Sequence, residues 1–113
     1  MKSFLFLLSF LILSSCVTKH CINSNPSAKY TWVYKYDLSR QCEPNSGVSL
    51  TEMAQALSPI KILAQEKRRD GVPRITMCRA QTGWANVYQI QLSDKDKALK
   101  LGFRQWDFPE IRP

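Results

Sequence analysis

The sequence predicts a small α+β domain: an antiparallel-rich sheet with two short helices, in the order β-α-β-β-β-α-(β). Three observations point there. Residues 30–36 alternate with a period of two, a capping box opens an amphipathic stretch at Ser49, and the turn signals Asp70-Gly71 and Thr82-Gly83 divide the β-rich second half. With 113 residues the chain holds one domain at most, which excludes a two-domain enzyme. Its 44% hydrophobic and 22% charged content excludes wholesale disorder.

In the first strand, Tyr30, Trp32, Tyr34 and Tyr36 share one face, and Thr31, Val33 and Lys35 share the other. The aromatic face is expected to pack beneath the helices as core, although aromatics in a row can also stack on sugars or bases. Residues 39–47 read as a loop carrying Cys42, Pro44 and Asn45. In Ser49-Leu50-Thr51-Glu52 the serine hydroxyl can accept from the Glu52 amide, and the glutamate can reach back. Leu50, Met53, Ala54 and Leu57 then follow helical spacing, and Pro59 stops a helix over 50–57.

Ile60, Ile62 and Leu63 open a β-rich stretch. Asp70-Gly71 predicts a hairpin whose return strand is 75–78, with its start held to an edge or bulge by Pro73. A further strand spans 85–92, with Tyr88, Ile90 and Leu92 on one face. A second helix starts near Ser93 and carries Ala98, Leu99 and Leu101 before Gly102 ends it. Trp106 and Phe108 are expected to close the sheet or cover its edge. The nearest named pattern is the split βαβ, ferredoxin-like arrangement.

The N-terminus has a different character. Lys2 precedes an apolar run over 4–13 broken only by Ser9. As a helix that run rises about 15 Å, half of a bilayer core of roughly 30 Å. Residues 1–15 therefore read as a signal peptide rather than a membrane span. They lead into Leu13-Ser14-Ser15-Cys16.

That ending resembles the lipobox of bacterial lipoproteins, and the resemblance covers the first 16 residues only. It implies cleavage before Cys16, a diacylglycerol on the Cys16 sulfur and often a further acyl (palmitate-type) chain on the new amino group. It thus implies a chain held on a lipid bilayer in the cell envelope. Val17 stands where an Asp would favour inner-membrane retention, so in a diderm source the resemblance implies outer-membrane sorting. Residues 16–29 are Asn-, Ser- and Pro-rich with no apolar period and read as a flexible tether, leaving 30–113 as the domain.

With Cys16 acylated, Cys21, Cys42 and Cys78 remain. Export permits disulfides, and three single pairings are open. Their placement inside the domain favours Cys42 with Cys78. Cys21 is then left to bond a partner or a second copy; alternatively it takes Cys42 or Cys78 itself.

The only histidine, His20, lies in the tether, and no Gly-x-Ser-x-Gly, His-Glu-x-x-His or phosphate loop occurs. The expectation is a non-catalytic protein with no cofactor and no metal. Candidate partner-binding residues are Lys67, Arg68 and Arg69 at the hairpin tip, with Arg74 nearby, and Trp84 at the second turn as an exposed anchor. Export disfavours nucleic acid despite a pI near 9.5. The function expected is a protein-binding accessory subunit of an envelope assembly, such as a secretion or conjugation apparatus. The alternative is an inhibitor or immunity lipoprotein that blocks a periplasmic or surface hydrolase. Intact-mass measurement of the membrane-extracted chain should find a product that begins at Cys16 and carries two or three acyl chains. A soluble product with unmodified Cys16 refutes the anchor.

Overall fold

The computed structural model describes residues 29–109; the signal segment, Cys16, Val17, His20 and Cys21 lie outside the described residues. The elements are β1 (Tyr30–Tyr36), α1 (Leu50–Ala54) continued by a 3-10 turn (Gln55–Leu57), β2 (Ala64–Arg69), β3 (Trp84–Gln91), α2 (Lys95–Lys100) and β4 (Arg104–Gln105). All pairings are antiparallel and the sheet order is β2-β3-β1-β4. The α+β class is as the sequence predicts. The element order, with β1 and β3 central, is compatible with a split βαβ arrangement.

The helices cover one face of the sheet. Val33, Met53, Leu57, Tyr88, Ile90, Ala98 and Phe103 form the core there. Ser49 caps α1 as its sequence predicts, its hydroxyl accepting from the Glu52 amide at 3.1 Å. Two polar side chains of β3 fix the start of that helix. The Tyr88 hydroxyl donates to the Leu50 carbonyl at 2.6 Å, and Asn86 Nδ2 donates to the Val48 carbonyl at 2.9 Å. Such bonds let buried polar groups orient an element that propensity alone leaves marginal.

The aromatic face of β1 looks away from the helices, which corrects the sequence expectation. Val33, on the opposite side of β1, joins the core beneath the helices, and α2 packs on this strand. Tyr34 is buried beneath Trp106 and Phe108, whose ring centroids lie 5.2 and 5.6 Å from its own in edge-to-face contact. The Trp106 amide donates to the Trp32 carbonyl at 2.8 Å. The C-terminal segment therefore lies across this face and makes a second, smaller core with Tyr34, Ala85 and Val87.

A second correction concerns 75–78, which is not a strand. β2 pairs directly with β3, so residues 71–83 form one long loop. The alternation of Ile75 and Met77 is not used in the sheet, because the segment folds against the β1–α1 loop rather than back along β2. The side chain of Gln41 meets the backbone of the segment. Its Nε2 donates to the carbonyls of Ile75 (3.0 Å) and Gln81 (3.2 Å), and its Oε1 accepts from the Met77 amide (3.1 Å). Leu92 also leaves the β3 face expected for it and sits in a short 3-10 turn, exposed.

Cys42 and Cys78 form a disulfide with Cα atoms 5.1 Å apart. It joins the β1–α1 loop to the β2–β3 loop beside the Gln41 contacts. Bridging a sequence separation of 36 removes loop-closure entropy from the unfolded chain. The double variant Cys42→Ala/Cys78→Ala should lose about 3 to 4 kcal/mol in urea unfolding. Leu57→Ala, which empties a fully buried site in the helix-side core, should cost about 2 to 5 kcal/mol. An unchanged midpoint in either variant refutes the role given to that contact.

Candidate functional site

All five residues read from the sequence as partner-binding line one open groove of about 1190 Å³ along β2. Strand geometry sends Lys67 and Arg69 to the face of the helices, and Glu66 and Arg68 to the aromatic face. The groove therefore wraps the outer strand of the sheet, with Trp84 on one flank and Trp106 on the other.

The cations are largely held by carboxylates. Lys67 Nζ donates to Asp37 Oδ2 at 2.7 Å. Asp37 is buried at the end of β1 and also accepts from the amide (2.9 Å) and hydroxyl (2.6 Å) of Ser39. Burial alone would raise the Asp37 pKa; the bonds from Lys67 and Ser39 outweigh it and hold the carboxyl below its ordinary value. Arg68 pairs with Glu66, and its guanidinium lies 4.4 Å from the Trp32 ring centroid and 5.8 Å from that of Trp106. Arg69 lies 5.7 Å from the Trp84 ring centroid, and no carboxylate among the described residues pairs with it.

Asp70 organises the end of the groove. Arg74 grips it with Nη1 on Oδ1 at 2.8 Å and Nη2 on Oδ2 at 2.6 Å. The Tyr36 hydroxyl donates to Oδ2 at 2.7 Å and the Val72 amide to Oδ1 at 3.0 Å. The Arg74 guanidinium, against the opposing effect of burial, holds the Asp70 carboxyl far below the usual carboxylate range. Burial first, and then Asp70, push the Tyr36 hydroxyl up to about 12. A Cβ at Gly83 would collide with the Arg74 guanidinium, and φ there is +83°, so only glycine lets the pair close over the start of β3.

Sequence reasoning located the basic residues and Trp84, which is 40% exposed. It missed Asp37 and Gln41, it placed Tyr36 on the aromatic face without its tie to Asp70, and it read Asp70 as a turn residue and a solvated acid beside the basic run. Asp70-Gly71 is a turn signal in its own right, so the signal that Asp70 is also a buried hub was absent. The groove sets four cations, Lys67, Arg68, Arg69 and Arg74, against three carboxylates, Asp37, Glu66 and Asp70. Its long-range field is therefore mild, and its recognition is short-range and directional. Among the described residues no three His, Cys, Asp or Glu side chains converge as metal ligands. Comparison of the chain with protein-family models, with curated proteins and with solved structures finds no match.

The pKa shifts give stability two limbs. Asp37 and Asp70 are depressed, so their contribution is full above the ordinary carboxylate value of 3.8 and is lost as pH falls below it. Tyr36 and Tyr88 are both raised to about 12, so the stability linked to them is full below 10 and is lost as pH rises from 10 towards 12. Asp70→Asn should cost about 3 kcal/mol, the low end for a broken buried pair because Arg74 keeps some contact with water. The same variant should flatten the acid limb, read by urea unfolding at pH 2.5 to 7. An acid limb as steep as that of the wild type refutes the role of Asp70.

Proposed function

We propose that this chain is a non-catalytic envelope lipoprotein, held on the bilayer through acylated Cys16, which binds a protein partner as an accessory subunit of an envelope assembly such as a secretion or conjugation apparatus. The observation that carries the reading is the groove: four cations and Trp84 converge on one strand whose surroundings are locked by ion pairs. The carboxylates in it with shifted pKa values are engaged by Lys67 and Arg74, which fits structural ties better than proton carriers. The disulfide supports an oxidising compartment, in keeping with export.

The alternative, an inhibitor or immunity lipoprotein, draws support from a different place. The loop over 71–83 turns Val72, Ile75 and Met77 outward, with Ile75 70% exposed, while Gln41 and the disulfide pin its backbone. A pre-organised apolar loop gives up little entropy on entering a hydrolase cleft.

The two readings separate by mutation. Under the first, the envelope partner recovered with the full chain should bind Trp84→Ala with faster dissociation, at a cost of about 2 kcal/mol. Arg69→Glu should mainly slow association. Wild-type rates in both variants would place the binding site elsewhere. Under the second, Ile75→Asp should abolish protection against one lytic hydrolase and leave any envelope complex intact.

A further inference from the structure

β2 is an outer strand: β3 lies on one side of it, and among the described residues no strand lies on the other. In an antiparallel ladder, hydrogen-bonded and non-bonded pairs alternate. The Asp70 amide donates to the Gly83 carbonyl, and the Asp37 amide donates to the Trp84 carbonyl. Those two bonds fix the phase. Even-numbered residues of β3 bond to β1 and odd-numbered ones to β2, so Ala64, Glu66 and Arg68 bond inward. Gln65, Lys67 and Arg69 turn their amides and carbonyls outward, away from β3. The groove runs along Lys67 and Arg69.

We infer that this free edge receives an extended, acidic segment of a partner protein as a fifth strand of the sheet. The inference rests on the protein-binding reading above and gives it a mode. Main-chain bonds to Gln65, Lys67 and Arg69 supply the affinity, and alternate side chains of the added strand meet the cations on one side and Trp84 on its flank. Charge selects the occupant. Arg69 has no carboxylate of its own among the described residues, and Lys67 is partly open to water. A second copy is a poor occupant, because edge-to-edge pairing brings two Lys67-Arg68-Arg69 runs together. The chain's own residues 1–28 contain no Asp or Glu and do not offer the complementary charge.

The test uses the full chain and a synthetic peptide, Thr-Glu-Val-Glu-Val-Glu-Thr, read by residue-resolved amide hydrogen exchange. Peptide should slow exchange at the Gln65, Lys67 and Arg69 amides about tenfold or more. Gln65→Pro removes one outward donor and no bond to β3; it should keep the thermal midpoint and weaken peptide binding about tenfold. Arg69→Glu should weaken binding of this peptide and admit its Lys-for-Glu counterpart. The inference is overturned if the peptide protects none of the three amides, or if Gln65→Pro binds it like the wild type. It is equally overturned if vesicles containing phosphatidylglycerol protect those amides and the peptide does not, which would make the edge a membrane contact. An envelope partner that binds the wild type and Gln65→Pro equally well overturns the edge inference and leaves the protein-binding function standing.

Discussion

A carboxylate can leave water only where the protein replaces its hydration, and Asp70 is where this domain meets that constraint. The acid sits just past the end of β2 and is reached from β1 by Tyr36 and from the long loop by Arg74 and the Val72 amide. Gly83, at the entry to β3, has no side chain because the pair lies against it. One buried charge thereby sets the relative position of three strands and the loop between two of them. The groove takes its end wall from the same contacts. Asp37 repeats the device at the end of β1, where Lys67 and Ser39 satisfy it. Lys67, Arg68 and Arg74 are thus structural and available at once: each is oriented by an acid beside it, and the surface in front stays polar without a strong net field.

Local chemistry was legible in the sequence where it depended on near neighbours. The alternation at Tyr30 to Tyr36, the cap at Ser49 and the glycine at the end of α2 each need only residues a few positions away. The disulfide was legible by placement. The identity of long-range partners could not be read. Ile75 and Met77 carry a strand-like pattern, but β2 takes β3 as its partner, and the segment after Asp70 folds against the β1–α1 loop instead of back along β2. The backbone of the loop bonds instead to the side chain and main chain of Gln41, more than thirty positions upstream, and to Ser39, a solution no periodicity announces.

The aromatic face teaches the same lesson about layers. Period two told which residues share a side of β1 but not which side the helices would take. Val33 joins the core beneath the helices; Trp32, Tyr34 and Tyr36 form a platform for Trp106 and Phe108. Arg68 then closes that platform by lying over two of the indoles. The residues that a reader of the sequence would rank as binding aromatics are thus mostly committed to one another, and Trp84, at the start of β3, faces the groove from the flank opposite Trp106.

The placement of β1 at the centre of the sheet governs how the domain is made. β1 is the first element of the described chain, yet its neighbours are β3 and β4, with Tyr30 opposite Gln91 and Val33 opposite Gln105. Nothing synthesised in the first half can complete either core, because Tyr88 and Ile90 belong to β3 and Phe103, Trp106 and Phe108 come later still. Folding therefore begins with the costly closure of long loops, which makes it slow for a domain of this size and postpones it until the chain is nearly finished. A ribosome-bound fragment that ends before β3 holds the sequences of α1, β1 and β2, two strands that are not neighbours in the sheet, and no core to hold them.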